Sequence, residues 1–218
     1  MKNIVVLISG RGSNFVAIEK KAEEENWASK GLRIALVLSN RPEAAGLARA
    51  KELGIPTAVV NHKEFSDRES FEEAMIRVID PLEPAVIVLA GFMRILTPLF
   101  INHYAGKILN IHPALLPLFK GLDTHKRALV AGVRVHGCTV HFAGCELDGG
   151  PIVGQAVVPV VPTDTPEELA ARALKLEHIL YPRCVYAVAT GKVVLKEDGR
   201  VYMAPETAQN LAVMSTAL

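Results

Sequence analysis

The chain has 218 residues, half of them hydrophobic and 22% charged, which is enough apolar side chain for a sizeable core and argues against a disordered chain. Its formal net charge of +1 gives no reason to expect a polyanionic partner, since a nucleic-acid module usually carries a strong basic excess. Three cysteines, an odd count, are unlike a secreted disulfide framework.

The opening stretch MKNIVVLISGRGSN carries an apolar run too short to span a membrane and lacks a small-residue cleavage site, so it reads as the first strand of a cytoplasmic protein. NIVVLI is continuously apolar, as in a strand covered on both faces. SGRGSN is a turn, and a helix is expected over Phe15–Glu25 with Ser13 or Asn14 near its cap. RIALVLSN reads as a second strand. A helix over Glu43–Leu53 stops at Gly54 and Pro56, and TAVV is a short third strand. Asp67–Ile79 is helical, with Phe71, Met75 and Val78 at helical spacing. PAVIVLAG and KILNIHP are a fourth and a fifth strand, and Thr124–Val130 is a helical segment.

This alternation predicts an α/β fold around a doubly wound, mostly parallel sheet. The rhythm then changes. RVHGCTVHF and PIVGQAVVPVV, on either side of the turn ELDGGP, read as antiparallel strands added to one edge of the sheet. A long helix over Thr165–Ala189 opens with Thr-Pro-Glu-Glu, and Pro182 is expected to break or kink it. The stretch after Gly191 is short and mixed and supports no assignment. No repeat, low-complexity tract or linker interrupts the chain, which reads as one domain.

Ligand sites of open α/β sheets form beyond the carboxyl ends of the strands. Three unusual stretches stand there: SGRGSN, AGFMRIL and NIHPALLP. In SGRGSN two glycines let the backbone approach a ligand, and the helix start behind them suits a phosphate. The alternative is a tight turn without a ligand. A dinucleotide fingerprint would need a third glycine where Phe15 stands, and an acid where the second strand ends in Ser39-Asn40-Arg41, so an NAD site is disfavoured. In NIHP, Asn110 and His112 lie two apart and project from one strand face. An amide beside an imidazolium can hold an oxyanion, and the plainer alternative is a hydrogen-bonded polar strand end. A metal would need more ligands; Cys138 and His141 lie an odd number apart and point to opposite faces. Asp148 in ELDGG is by default an exposed turn residue bonded to its own backbone. Placed near His112 it would instead favour the imidazolium and help to carry a proton, and spacing alone does not say whether the two meet. Arg94 can pair with a carboxylate or reach solvent. Arg68 and Glu177 are by default solvated charges, and His62, His103 and His125 stand in no constellation.

In this order, NIVVLISGRGSN, VLAGFMRIL, NIHPALLP, GLDTHKRAL, HGCTVHF and ELDGGPI closely resemble the glycinamide ribonucleotide formyltransferases, folate-dependent enzymes of purine synthesis, from residue 1 to about residue 190. The resemblance implies a single Rossmann-like formyltransferase domain over 1–218. A phosphate-binding half would span about 1–100, a folate-binding and catalytic half about 101–190, and a tail 191–218. It implies transfer of a formyl group from 10-formyltetrahydrofolate, the co-substrate, to the amine of phosphoribosyl-glycinamide, without a metal. By the same resemblance Asn110 and His112 bind and polarise the formyl oxygen and Asp148 tunes the histidine. Gly12, Ser13 and Asn14 hold the phosphate and Glu177 the ribose hydroxyls. Met93, Arg94, Ile95 and Leu96, with Asn110, contact the folate, and Arg68 meets its glutamate end. A cytoplasmic monomer or homodimer without nucleic-acid or membrane partners is expected. Two positions depart from the family pattern. Leu174, beside Lys175, stands where many relatives place a polar phosphate contact, and FAGC before Glu146 carries unusually small side chains.

Three rivals remain to be weighed. A formyltetrahydrofolate hydrolase would carry an extra N-terminal domain, and this chain is expected to begin at its first strand. A methionyl-tRNA formyltransferase would need a basic C-terminal domain. A non-catalytic nucleotide-binding protein of the same fold would not need Asn110, His112 and Asp148 together.

Overall fold

Ile4 to Ile8 are fully buried in the first strand, β1 (Lys2–Ile8), because neighbouring strands cover its edges and helices its faces. The computed structural model describes residues 1–215 and divides into two units, Met1–Leu109 and Asn110–Leu218. The first unit continues with α1 (Ser13–Glu24), β2 (Leu32–Ser39), α2 (Ala45–Glu52), β3 (Thr57–Val59), α3 (Arg68–Ile79), β4 (Pro84–Leu89) and α4 (Pro98–His103). Its strands run β4-β1-β2-β3, and each adjacent pair is parallel. Parallel neighbours joined by helices are what the strand-helix alternation demands.

Two local expectations are corrected here. Helix α1 begins at Ser13, and its cap is Gly12 in the left-handed region at φ 72 with no side-chain capping bond. Ser13 and Asn14 therefore stand in the first turn, near the cap as expected, and the helix starts two residues earlier than Phe15. In α3 the buried face is Phe71, Glu72, Met75 and Ile79, while Val78 is exposed. A carboxylate stands on the apolar face and an apolar residue stands beside it in solvent.

The next strand, β5 (Ile108–His112), begins in the first unit and ends in the second. The second unit adds α5 (Thr124–Val130), β6 (Val135–Phe142), β7 (Ile152–Pro159), α6 (Pro166–Thr190), β8 (Val193–Leu195), β9 (Val201–Met203), α7 (Pro205–Asn210) and β10 (Ala212–Met214). Strands β6 and β7 pair antiparallel, with Cys138 opposite Ala156, so the antiparallel addition to the mostly parallel sheet is present. The tail supplies two further pairings. Strands β8 and β9 form a separate antiparallel pair, and β10 joins β7 in parallel with Ala212 beside Gln155. Gly154 permits that approach, because a Cβ there would stand 2.7 Å from the Leu211 carbonyl oxygen. The expected tail of 191–218 is thus structured through Ser215, and residues 216–218 lie outside the described residues.

Helix α6 opens with a complete capping box: the Thr165 side chain accepts from Glu168 N, and the Glu168 carboxylate accepts from Thr165 N at 2.8 Å. It continues through Pro182 to Thr190, so of the expected break or kink the break does not occur. Proline removes one intrahelical hydrogen bond, but Leu180, Tyr181, Cys184 and Val185 around it are all fully buried. Packing of the flanking turns outweighs the lost bond.

Gly137 marks a close approach of β6 to β7, where an added Cβ would overlap the Ala156 carbonyl. Gly137→Ala is expected to lower unfolding stability by about 3 kcal/mol, the upper range for overpacking. Thr165→Ala is expected to cost about 1 kcal/mol through loss of its cap. Urea unfolding checks both, and equal midpoints for the two variants would contradict the close-approach argument.

Candidate active site

Strand β5 ends with its polar residues in place. Asn110 and His112 share one face of the strand, as their spacing requires, and each meets a partner from a later element of the second unit. His112 is 5% exposed. Its Nδ1 lies 3.3 Å from Asp148 Oδ2, and its Nε2 lies 2.9 Å from the backbone oxygen of Phe119. Both neighbours are acceptors, and both ring nitrogens can donate only in the imidazolium form. The surroundings of His112 therefore match a protonated ring.

Asp148 is not the exposed turn residue that ELDGG suggests by default. Its side chain is 8% exposed, and its Oδ2 also accepts the Gly121 N–H at 2.9 Å. Oδ1 lies 3.9 Å from His141 Nε2. Two features of the turn aim the carboxylate inward. Asp148 adopts the left-handed conformation at φ 50, and Gly150 packs so closely on β6 that a Cβ would overlap the Phe142 carbonyl.

His141 is the member of this cluster that the spacing argument passed over. Its Nδ1 lies 2.9 Å from the Phe142 carbonyl and therefore donates. In the neutral ring Nε2 is then an acceptor, and it takes the Asn110 amide N–H at 3.2 Å. Burial above all holds the His141 pKa below its ordinary value, and the bond to the Phe142 carbonyl and the charge of Asp148 oppose it. The neutral form orients the Asn110 amide, leaving its second N–H for a ligand. A usable signal was present: Thr139 and His141 also lie two apart, and Thr139 Oγ1 donates to Ala114 O at 2.7 Å just beyond His112. The loop of residues 118–122 closes over the ring. Lys120 pairs with Glu146 at 2.7 Å, and Phe119 holds φ 56 although it has a side chain.

His125 is not isolated either. Its Nδ1 lies 3.1 Å from Nε2 of buried His136, whose ring stands edge-on to Phe119. Glu177 is buried on α6 rather than solvated. Burial, and then the charge of Glu177, push the Cys138 thiol well above its usual range.

The first unit holds the remaining candidates. Gly12 packs on the start of α2: a Cβ on it would lie 3.4 Å from Gly46 Cα, and Gly46 N donates to Gly10 O at 3.0 Å. Gly46, another residue missed in the sequence, has no room for a side chain, since a Cβ would stand 2.6 Å from Ile8 Cδ1. Helix α1 points the positive end of its dipole at this turn. Ser9 at the end of β1 donates to Asn40 Oδ1 at 2.6 Å and accepts the Met93 N–H at 2.8 Å. Met93 and Ile95 are exposed, Leu96 is buried, and Arg94 stands 5.8 Å over the Phe71 ring. Arg68 is exposed at the first position of α3. The turn, the 92–97 loop and Arg68 thus belong to one unit, and Asn110, His112, Asp148 and Glu177 to the other.

The sequence profile of the formyl transferase family matches residues 2–185. The phosphoribosylglycinamide formyltransferase of Escherichia coli (strain K12) is 46% identical over 196 residues, covering 90% of this chain and 91% of that protein. The trifunctional purine biosynthetic protein adenosine-3 of Gallus gallus is 44% identical over 198 residues, 91% of this chain but 19% of that much longer protein. The structure of a phosphoribosylglycinamide formyltransferase from Coxiella burnetii, in complex with CHES, superimposes with a TM-score of 0.88 at 41% identity, covering 97% of this chain and 99% of that one.

Burial, followed by the charge of His125, pushes the His136 pKa down to about 4. An unfolded histidine titrates near about 6.5, so the unfolded chain takes up this proton first as pH falls. The contribution of neutral His136 is complete above about pH 6.5 and is lost as pH falls towards about 4. Urea unfolding of wild type and His136→Gln between about pH 4 and 7 should show the steeper loss in wild type. Parallel stability curves would show that the ring titrates alike in both states.

Proposed function

The chain belongs to the formyl transferase family, and we propose that it transfers the formyl group of 10-formyltetrahydrofolate to the amine of 5-phosphoribosyl-glycinamide in purine biosynthesis. The observation that carries this reading is the gathering of Asn110, His112 and Asp148 at the end of β5, with both nitrogens of His112 facing acceptors. A binding module of the same fold has no need of a buried carboxylate against that ring.

The chemistry follows from these groups. The amine nitrogen attacks the formyl carbon, a C–N bond forms, and the carbonyl oxygen becomes an anion. The free amide N–H of Asn110 and the Nε2–H of His112 stabilise that oxygen. The Phe119 carbonyl now accepts the Nε2–H, so the formyl oxygen takes its place when substrate binds and the 118–122 loop gives way. The bond from the formyl carbon to the folate nitrogen then breaks. The attacking amine loses a proton and the folate nitrogen gains one, relayed by the Asp148–His112 pair with water. No step requires a metal or a covalent enzyme intermediate.

Gly12, Ser13 and Asn14 receive the phosphate, supported by the dipole of α1 and the open backbone of the turn. Glu177 takes the ribose hydroxyls. Met93, Arg94, Ile95 and Leu96 contact the pterin, with Met93 and Ile95 presenting the exposed apolar surface, and Arg68 meets the glutamate end of the folate. Among the described residues no helix is long and apolar enough to cross a membrane. The near-neutral charge speaks against a nucleic-acid partner, and a cytoplasmic monomer or homodimer belongs to the same proposal.

Formyl transfer is measured with and without phosphoribosyl-glycinamide. Consumption of 10-formyltetrahydrofolate only when the amine is present is expected, and equal consumption without it would favour the hydrolase. Asp148→Asn should lower turnover about 10² to 10⁴-fold across pH 5 to 9 while calorimetric affinity for the ribonucleotide holds. Near-normal turnover throughout would remove Asp148 from the reaction. Ser13→Asp puts a negative charge at the proposed phosphate site without disfavouring the helix start. It should raise KM for the ribonucleotide at least about tenfold and leave that for the folate unchanged, the loss of roughly one charge-assisted hydrogen bond. Equal changes in both constants would make the turn purely structural.

A further inference from the structure

We infer that Glu72 is a positioning residue for folate, because its buried carboxylate fixes one end of the loop that carries Met93 and Ile95. The inference rests on the reading of residues 93–96 as the pterin wall.

Glu72 is 1% exposed on the inner face of α3. Among the described residues no cation pairs with it. A carboxylate without a cation is costly to bury unless hydrogen bonds satisfy it. Both of its oxygens turn to a single residue: Oε1 accepts the Thr97 N–H at 2.7 Å, and Oε2 accepts the Thr97 hydroxyl. Thr97 is the N-cap of α4, where a threonine hydroxyl ordinarily accepts from the helix backbone. Here it makes no capping bond and donates to Glu72 instead. The arrangement gives up a helix cap to hold the loop.

The opposite end of the same loop is held with equal care. Met93 N donates to Ser9 Oγ, and Ser9 N donates to Gly91 O at 3.2 Å. Between the two anchors Arg94 stands over Phe71, the residue before Glu72. Phe92 and Leu96 turn inward, and Met93 and Ile95 turn outward at 66% and 59% exposed. No backbone ladder defines this segment. The direction of its two exposed side chains is therefore set by Ser9, Phe71 and Glu72. A ring seated on them is sensitive to a small shift of the loop, whereas the ribonucleotide's phosphate contacts are made elsewhere.

The test is steady-state kinetics on the full chain. Glu72→Gln keeps the volume and can still accept the Thr97 N–H, but its NH2 can only donate, so the Thr97 hydroxyl loses its carboxylate acceptor. It should raise KM for 10-formyltetrahydrofolate about tenfold, change KM for phosphoribosyl-glycinamide less than about twofold, and leave the pH profile of kcat in place. Thr97→Val removes only the hydroxyl and should reproduce this change, without a further increase in the double variant. It also carries the test should Glu72→Gln fail to fold. Thr97→Ser keeps both donors and should restore wild-type constants. Met93→Ala serves as the control for the wall itself, since that side chain is exposed. An unchanged folate KM in Met93→Ala would overturn the wall reading and this inference with it. A raised folate KM in Met93→Ala, with Glu72→Gln and Thr97→Val lowering only the melting temperature, would overturn the positioning role alone.

Discussion

A single carboxylate holds the second unit's site together. Asp148 faces His112, stands near His141 and accepts the Gly121 N–H, so it touches the ends of β5 and β6 and the loop over them. Burial makes each of these interactions stronger than it would be in water and makes a missing partner costly. The left-handed backbone of Asp148 and the glycine that packs on Phe142 show what the chain concedes locally to aim it. The same carboxylate gives His112 a reason to carry a proton, and the neighbouring neutral His141 gives Asn110 a fixed orientation. Two histidines in one cluster thus have different partners: both nitrogens of His112 face acceptors, whereas His141 meets one acceptor and one donor.

The first unit obeys a related rule. Parallel strands buried on both faces leave almost no place for polar side chains except at their ends. Ser9 and Asn40 stand at such ends and bond each other, and Ser9 also takes the Met93 N–H. Glu72 is the exception, a carboxylate on an apolar helix face, and its oxygens are both satisfied by Thr97. The polar groups that the sheet tolerates in its interior are those that hold a loop.

The strand-helix rhythm was legible because it rests on local periodicity. The same reasoning missed what neighbours decide. Pro182 was expected to break or kink α6, and the helix is not broken there, because the buried side chains around it carry it on. Val78 fits the helical spacing of α3, yet the buried position went to Ile79 and the face includes Glu72. Ser13 and Asn14 are good capping residues, but Gly12 caps α1 because the turn needs a left-handed residue against Gly46. The tail after Gly191 showed no period because its strands have three residues each, too few for alternation to register.

Spacing alone determined that Asn110 and His112 share a strand face, because side chains two apart on an extended chain always do. The ordered motifs determined the family, which the profile over residues 2–185 then showed. Composition determined that a large apolar core was available. Only the tertiary structure decided that Asp148 meets His112 across 36 residues of sequence, that His141 orients Asn110, and that Glu177 and Glu72 are buried. These depend on which strands and loops become neighbours. A carboxylate reads the same in a sequence whether water or an imidazole faces it, and only folding chooses between the two.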